Sequence, residues 1–229
     1  MNSWPISPQR RAVLARVAAA VPVSTTAPVL LAVDGVDGAG KSVFADELSR
    51  VLVTTRRPVI RASVDDFHRP RADRYRRGRS SPIGFWLDAF DYDRLRTALL
   101  DPLLPGGSRS YRTAVHDVAA DQPVHQPVQR CPEGAVLVLD GLFLHRDELR
   151  GYWDLSIWLE VPFSVTAARM ARRDGTSPDP NAPSMARYID GQRLYLSKCQ
   201  PSRRADVVID NTDPESPYLV RPGPCASPI

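Results

Sequence analysis

The sequence predicts an α/β fold in which five parallel strands form a doubly wound sheet with helices on both faces. Five short runs rich in valine, leucine and isoleucine alternate with helical or loop stretches, as expected for strands that are covered on both faces. A glycine-rich segment directly follows the first run and precedes a helical pattern. At 229 residues, the chain is long enough for one such domain with a full core and short for two.

The predicted strands and helices follow each other along most of the chain. The strands are placed at residues 29–34, 58–64, 135–139, 155–161 and 206–210. Helical patterns are clearest at residues 42–53, 91–100 and 163–173. In the first of these, apolar residues such as Phe44, Leu48 and Leu52 recur on one helix face. Alternation of this kind predicts parallel strands joined by crossover helices.

The predicted organisation is one domain with additions. Residues 1–211 are predicted to form that domain, with a helical extension at residues 1–28. Residues 101–133 are punctuated by proline and glycine, so we expect a hairpin or loop insert over the site. Residues 174–184 are expected to form a mobile lid loop. Residues 212–229 are rich in proline and lack periodicity, and we expect this tail to be poorly ordered.

Composition limits the classes of partner. The formal net charge of +4 comes mostly from arginine; it suits anionic small molecules and is too weak to predict nucleic-acid binding. The cysteines Cys131, Cys199 and Cys225 lack metal-site spacing and favour a reducing compartment. No apolar run reaches the length of a membrane span. We therefore expect a cytoplasmic protein with no membrane or nucleic-acid partner, and a homo-oligomer stays open.

The glycine-rich segment fits the pattern G-x-x-x-x-G-K-[ST] between Gly35 and Ser42. Between a strand and a helix, such a loop wraps backbone N–H groups around a triphosphate. Lys41 is expected to reach the β- and γ-phosphates, and the Ser42 hydroxyl is expected to ligate Mg²⁺. The predicted fold is thus of the P-loop NTPase type, with ATP and Mg²⁺ as cofactors. The predicted nucleotide-binding residues are Gly35, Val36, Asp37, Gly38, Ala39, Gly40, Lys41, Ser42 and Val43.

Acidic residues follow the other predicted strands, at the edge where parallel sheets gather functional groups. Asp65 and Asp66 follow the second strand; Asp65 is the predicted base for a substrate hydroxyl, with Asp66 as the alternative. Asp140 follows the third strand and is predicted to hold Mg²⁺ or its water. The competing interpretation is that these aspartates only cap the next helix.

Three arginines precede the predicted lid loop. Arg169, Arg172 and Arg173 lie on one helical run, and lid arginines can neutralise charge on a transferring phosphoryl group. We predict catalytic roles for Arg169 and Arg173 and a substrate contact for Arg172. The alternative is a solvated basic helix face.

Two other motifs do not lead to a function. His145-Arg146-Asp147 matches the catalytic loop of protein kinases, but Tyr152 stands where that loop needs asparagine. The arginine-rich run at residues 69–79 resembles an RNA-binding patch with an aromatic residue. Because it directly follows the predicted base, a flexible segment near an anionic site explains it equally well.

Four segments in order resemble the uridine kinase family of P-loop kinases. They are Val64-Asp65-Asp66-Phe67-His68, Asp88-Ala89-Phe90-Asp91, Asp140-Gly141 and Ala205-Asp206-Val207-Val208-Ile209. The resemblance spans about residues 29–211. It implies transfer of the ATP γ-phosphoryl group to the 5′-hydroxyl of uridine or cytidine, with Asp65 as base. It also implies that Tyr111 and His116, which keep the family's spacing of five residues, hold the pyrimidine.

The chain also departs from that family. Phe85 stands where the family has an aspartate that holds the ribose hydroxyls, and Asp88 is the candidate to replace it. The loop interior at residues 36–40 looks more like thymidylate kinase, whose Asp-Arg-Tyr/His segment is missing after the second strand. Two alternatives stay open: a P-loop kinase for another alcohol, such as pantothenate, a sugar phosphate or a natural-product nucleoside, and a nucleotide-binding module without turnover.

Overall fold

A six-stranded sheet forms the centre of the structure. The structure is a computed structural model and describes residues 6–24, 27–221 and 223. The strands in chain order are β1 (Val29–Gly35), β2 (Val59–Ser63), β3 (Ser110–Tyr111), β4 (His116–Asp117), β5 (Gln122–Pro123), β6 (Gln129–Arg130), β7 (Val136–Gly141), β8 (Leu155–Glu160), β9 (Val207–Asp210) and β10 (Tyr218–Arg221). The sheet order is β10-β9-β8-β1-β7-β2, and all its pairs are parallel except β9 with β10. β1 and β7 are buried along their whole length, which explains why each is apolar up to its terminal Asp-Gly pair.

The register of the central strands positions the functional groups. Val33 of β1 lies opposite Asp140 of β7, and Ser63 of β2 lies opposite the same aspartate. The residues that follow β1 and β2 therefore emerge beside the end of β7. This is the edge at which open parallel sheets bind ligands.

Helices cover both faces of the sheet. They are α1 (Pro8–Ala20), α2 (Lys41–Thr54), α3 (Arg71–Arg74), α4 (Pro82–Asp88), α5 (Tyr92–Leu95), α6 (Asp101–Leu103), α7 (Phe163–Asp174), α8 (Ala186–Cys199) and α9 (Pro201–Arg204). A π-helical stretch, Arg96–Leu100, joins α5 to α6. The helix α7 ends at Gly175, whose φ of 69° is the left-handed conformation that commonly stops a helix. No helix in the described part of the chain is long and apolar enough to cross a membrane.

The predicted α/β fold is confirmed, with one strand more than expected. The expectation of a poorly ordered tail is wrong for β10, which pairs antiparallel with β9. Leu219 packs against the core, and the Tyr218 hydroxyl donates to Asp210 over 3.0 Å. Four residues among prolines carry too little periodicity to predict such an edge strand. Residues 222 and 224–229 of the predicted tail lie outside the described residues.

The insert at residues 101–133 begins as helix and continues as two small hairpins. β3 pairs with β6, and β4 pairs with β5. The Val115 amide donates to the carbonyl of Asp66 over 3.0 Å, and the Arg71 amide donates to the Asp121 side chain over 2.8 Å. The insert is therefore fastened to the segment that follows β2, beside the predicted base.

The helix α8, which the sequence analysis did not specify, packs closely against α4. A Cβ atom at Gly191 would lie 2.8 Å from the Phe85 ring and 3.0 Å from the Pro82 carbonyl. Only glycine allows this approach, and it brings Gln192 and Tyr195 of α8 beneath the glycine-rich loop.

Candidate active site

The loop Gly35–Ser42 turns sharply from β1 into α2. Gly38 and Gly40 have φ values of 76° and 89°, a region that residues with a Cβ rarely adopt. A Cβ at Gly38 would also lie 2.7 Å from the Thr166 carbonyl oxygen. The turn directs the first N–H groups of α2, which have no acceptor within the helix, toward the open side of the loop.

A buried carboxylate supports this loop from below. Asp34, at the end of β1, has no solvent exposure. Its Oδ1 accepts from the Gly35 amide over 2.7 Å, and its Oδ2 accepts from the Leu144 amide over 2.9 Å and the Tyr195 hydroxyl over 2.5 Å. His145 Nδ1 lies 2.8 Å from the same oxygen. Asp34 therefore fastens the loop to the residues after β7 and to α8.

Side chains from distant segments hold the loop itself. Gln192 Oε1 accepts from the Asp37 amide over 2.6 Å, and Asn211 Nδ2 donates to the Ala39 carbonyl over 2.7 Å. Arg169 donates to the Gly38 carbonyl over 3.1 Å. Burial raises the pKa of the Asp37 carboxyl, although the nearby Lys41 ammonium opposes this shift. Gln192 was missed by the sequence analysis because nothing in its local sequence points to a loop far away along the chain.

Ser42, where the glycine-rich loop ends, and Asp140, near the end of β7, provide two neighbouring oxygen ligands. The Ser42 hydroxyl donates to Asp140 Oδ2 over 2.6 Å. Asp140 Oδ1 is buried and accepts no hydrogen bond, although Arg61 Nη2 lies 2.7 Å from it as an ion pair. Among the described residues there is no cluster of three or more His, Cys, Asp or Glu that could hold a metal. The donor set of a hydroxyl and one carboxylate fits Mg²⁺ that takes its other ligands from phosphates and water.

Asp65 stands at the start of the 3-10 turn Val64–Phe67, directly after β2. Burial raises the pKa of its carboxyl above the ordinary aspartate value; Lys41 and Arg173 act against this shift, and Asp140 adds to it. A raised pKa suits a group that must take a proton near neutral pH. The neighbouring Asp66 also has a raised pKa, first through burial and then through the charge of Asp65.

A cavity of about 150 Å³ brings these groups together. Lys41, Ser42, Asp65, Asp140 and Arg173 all line it, as the sequence analysis expected of one site. Its remaining walls are Asp37, Gly38, Gly40, Val43 and Leu142. Two carboxylates, a hydroxyl and two cationic side chains beside a glycine-rich loop are the groups that phosphoryl transfer requires.

The three arginines of α7 have different surroundings. Arg173 lines the cavity and pairs with Asp174 over 2.7 Å; its pKa is raised, chiefly by that hydrogen bond. Arg169 instead donates to the carbonyls of Gly38, Asn211 and Thr212. Arg172 is exposed, and neither it nor Arg169 belongs to the cavity lining in the described structure.

The substrate candidates Asp88, Tyr111 and His116 also lie outside that lining, as far as the structure is described. The buried Tyr111 donates its hydroxyl to Gln129 over 3.2 Å. His116, on the other hairpin, is buried with Nε2 3.2 Å from Asp121. The two side chains thus have separate partners and are not brought together at the loop cavity.

Asp88 is held by two arginines. Arg76 Nη2 lies 2.5 Å from one carboxylate oxygen, and Arg77 Nε lies 2.9 Å from the other. Burial alone would raise the pKa of Asp88, but the hydrogen bonds and charges of these arginines outweigh it and lower the pKa. Both oxygens are therefore engaged without any ligand.

The sequence analysis also missed Arg61, in the middle of β2. Its side chain reaches Asp140, the predicted metal carboxylate, over 2.7 Å. The available signal was an arginine in the middle of a short strand, where a charged side chain usually requires a partner of opposite charge. The partner could not be read from the sequence because it lies on another strand.

Comparison with known proteins agrees with this fold. Residues 30–179 match the model of the Phosphoribulokinase / Uridine kinase family. A curated "Uridine kinase" of Brevibacillus brevis is 27% identical over 198 residues, which cover 83% of this chain and 86% of that protein.

Solved structures share the fold. One titled a possible uridine kinase from Bacillus stearothermophilus has a TM-score of 0.67 at 22% identity, over 87% of this chain and 96% of that one. Phosphoribulokinase from Rhodobacter sphaeroides has a TM-score of 0.54 at 15% identity, over 89% and 77%. The resemblance inferred from the sequence motifs is confirmed. Because the family model covers well over half of its residues, the chain belongs to the Phosphoribulokinase / Uridine kinase family, whose P-loop kinases use ATP, generally with Mg²⁺.

Proposed function

We propose that the protein transfers the γ-phosphoryl group of ATP to the 5′-hydroxyl of a ribonucleoside, with uridine and cytidine as the first candidates. The cavity that joins Lys41 and Ser42 to the raised-pKa carboxyl of Asp65 is the observation that carries this proposal. The choice of a nucleoside is supported by the motifs shared with uridine kinases and by the name of the curated relative. A cytoplasmic location, where ATP is abundant, is part of the proposal.

Each residue of the cavity then has a defined role. Lys41 and the loop amides hold the β- and γ-phosphates, and Ser42 and Asp140 hold Mg²⁺. Mg²⁺ bound there would neutralise charge on the phosphates. Asp65 takes the proton of the attacking hydroxyl as the new oxygen–phosphorus bond forms and the bond to the β-phosphate oxygen breaks, leaving ADP.

The arginines of α7 complete this proposal. Arg173 is close enough to Asp65 and Asp37 to influence the pKa values of both, so its charge reaches the position of the transferring group. Arg169 would act on the nucleotide through the loop carbonyl it holds. Arg172 would contact substrate only after the 174–184 segment moves over the site.

A second candidate is an alcohol that carries its own anionic group, such as a sugar phosphate or pantothenate. The pairing of Asp88 with Arg76 and Arg77 favours it, because the Asp88 side chain is only 2% exposed and each of its oxygens already has an arginine partner. If Asp88 keeps these partners when substrate binds, the sugar contact of a nucleoside must come from elsewhere.

A cleft near the loop gives the second candidate further support. It measures about 250 Å³ and is lined by Tyr75, Arg79, Ser80, Pro183, Ser184, Arg187 and Tyr188, with no carboxylate in the described lining. Tyr188 lies one helical turn before Gln192, the residue that accepts from the Asp37 amide. The arginine, serine and tyrosine side chains of this cleft provide donors that suit an anion.

A substrate panel decides between the two candidates. The full chain is incubated with Mg·ATP and two mixtures, one of ribonucleosides and one of anionic alcohols that includes a pentose phosphate and pantothenate. Mass spectrometry then identifies the compound that gains a phosphoryl group, with Lys41→Ala as the inactive control. We expect uridine or cytidine to react and Arg79→Ala to leave that reaction unchanged. Reaction of an anionic alcohol alone, with loss on Arg79→Ala, would replace the first candidate with the second. ATP binding without any phosphorylated product would contradict both.

A further inference from the structure

Arg61 connects the predicted metal carboxylate to a second, exposed carboxylate. From the middle of β2, its Nη2 lies 2.7 Å from Asp140 Oδ1, and its Nε donates to Asp46 Oδ1 over 2.8 Å. The Asp140 side chain is 2% exposed, whereas that of Asp46 is 54% exposed. Asp46 belongs to α2, one turn beyond Ser42. The guanidinium therefore lies between a buried carboxylate and a solvent-exposed one.

We propose that Arg61 is a resident cation that competes with Mg²⁺ for Asp140, so that free metal is held weakly and metal is retained only together with the nucleotide. This inference rests on the proposed function through one assignment, that of Asp140 as the metal carboxylate.

The electrostatic argument begins with burial. A carboxylate that is almost completely removed from water requires a nearby positive charge or several donors. Among the described residues, Asp140 has the Ser42 hydroxyl on one oxygen and only Arg61 at the other. The oxygen next to Arg61 accepts no hydrogen bond of good geometry. Charge rather than a directed hydrogen bond thus links the guanidinium to this oxygen, while other N–H groups of Arg61 donate to Asp46 and to the Ala62 carbonyl. Another cation can therefore take its place beside Asp140.

A guanidinium and a divalent cation on the same oxygen repel each other strongly at such short range. Asp46 offers Arg61 a partner on the solvent side, where charge separation costs less. Arg61 can keep its ion pair with Asp46 when Asp140 binds a metal ion instead. ATP supplies additional phosphate ligands, which raise metal affinity enough to overcome the competition, whereas free metal lacks that help.

The test measures metal binding without catalysis. Mn²⁺ serves as the probe, and electron paramagnetic resonance reports the free ion in a titration of the full chain, first without nucleotide and then with ADP. Arg61→Met keeps the length of the side chain and removes its charge; we expect Mn²⁺ without nucleotide to bind about tenfold more tightly. Asp46→Asn leaves Arg61 with Asp140 as its main carboxylate, and we expect about threefold weaker binding. With ADP present, both differences should shrink.

Matched variants separate this inference from a structural role. Arg50→Met changes the net charge by the same amount at an exposed position of α2 and should leave Mn²⁺ affinity within about twofold. Arg61→Lys keeps a charge that cannot span both carboxylates, so its affinity should fall between wild type and Arg61→Met. Weaker or unchanged binding in Arg61→Met with a cooperative melt would overturn the inference, as would shifts of the same sign in Arg61→Met and Asp46→Asn. Mn²⁺ affinity unaffected by Asp140→Asn would overturn its premise, while phosphoryl transfer could still be present.

Discussion

The two sides of the site are held by different kinds of interaction. On the phosphate-loop side, residues 34–42, backbone groups provide most of the contacts: Asp34 accepts from two amides beyond its own loop and from one within it. On the proposed acceptor side, residues 68–133, buried or half-buried carboxylates are held by ion pairs, with Asp88 between two arginines and Asp121 near Arg74 and His116. The phosphate-loop side is thus held largely through backbone groups, whereas the proposed acceptor side also relies on pairs of charged side chains.

His68, at the start of the proposed acceptor side, lies next to the predicted base. His68 Nδ1 lies 2.7 Å from the Asp65 carbonyl, and its ring contacts the Phe90 ring with 4.5 Å between the centroids and a tilt of 51°. Burial lowers the pKa of His68 to about 4, even though the hydrogen bond to the carbonyl opposes this shift. The ring is therefore neutral at pH 7 and adds no charge next to the predicted base.

Of the variants that compare the two sides, the largest effect is expected on the phosphate-loop side, from Lys41→Ala. The Lys41 ammonium donates to the Val36 carbonyl over 3.0 Å and lines the cavity. Its loss should remove phosphate stabilisation and little packing. Loss of one such charged donor costs about 10²–10³-fold in kcat, and we expect at least this loss in a steady-state assay. Circular dichroism should show an unchanged cooperative melt. Near-normal kcat in a folded Lys41→Ala variant would contradict the role of the loop lysine in phosphate binding.

An intermediate effect is expected from the acceptor side, at Tyr111 and His116. If the two residues hold the base, Tyr111→Ala and His116→Ala should each raise KM for uridine or cytidine by about tenfold and weaken the preference over purine nucleosides. KM for ATP should stay within about twofold, since neither residue lines the loop cavity. Tyr111→Phe separates loss of the hydroxyl bond to Gln129 from loss of the ring. An unaltered nucleoside preference in both alanine variants would show that the insert does not select the base.

The smallest effect concerns stability, through Asp88→Asn. The folded-state pKa of Asp88 is lowered, so its contribution is fully present above the unfolded-state pKa and is lost as pH falls through the folded-state pKa. The paired arginine side chains are 57% and 46% exposed, which limits the expected destabilisation at pH 7 to about 1 kcal/mol. Urea titrations should show the difference from wild type shrinking below about pH 4.

A control sharpens this measurement. Asp73→Asn removes an exposed carboxylate on the same segment and should leave stability within about 0.5 kcal/mol at every pH. A penalty for Asp88→Asn that does not depend on pH would mean that packing, and not the arginine pairs, holds this residue.

The contrast between the two sides also explains what could be predicted from the sequence. The glycine loop is a run of consecutive residues, and parallel strands end at one edge, so sequence order alone predicts that Lys41, Ser42, Asp65 and Asp140 lie together. Arg173 was predicted by its place on the lid helix. The partners of Asp88 could not be predicted, because an arginine-rich segment offers several cations and the sequence does not say which of them fold back.

Other features of the fold and site could not be predicted because they depend on tertiary contacts. Arg169 resembles a catalytic arginine in the sequence, yet its guanidinium is directed to backbone carbonyls. The strand β10 and the helix α8 carry weak periodic patterns, and tertiary packing rather than local preference stabilises them. The pairing of Arg61 with Asp140 joins neighbouring strands that are far apart along the chain.

The most direct test of the account is the chemical step in Asp65→Asn. Single-turnover rates with saturating acceptor, together with the Kd values of ATP and acceptor, separate proton removal from binding. The amide keeps the size of the side chain but cannot take a proton, so we expect the rate to fall about 10²–10⁴-fold with both Kd values within about threefold. Asp66→Asn, the matched control, should lose less than about tenfold. A larger loss in Asp66→Asn, or a loss in Asp65→Asn explained entirely by weaker acceptor binding, would contradict the assignment of Asp65 as the base.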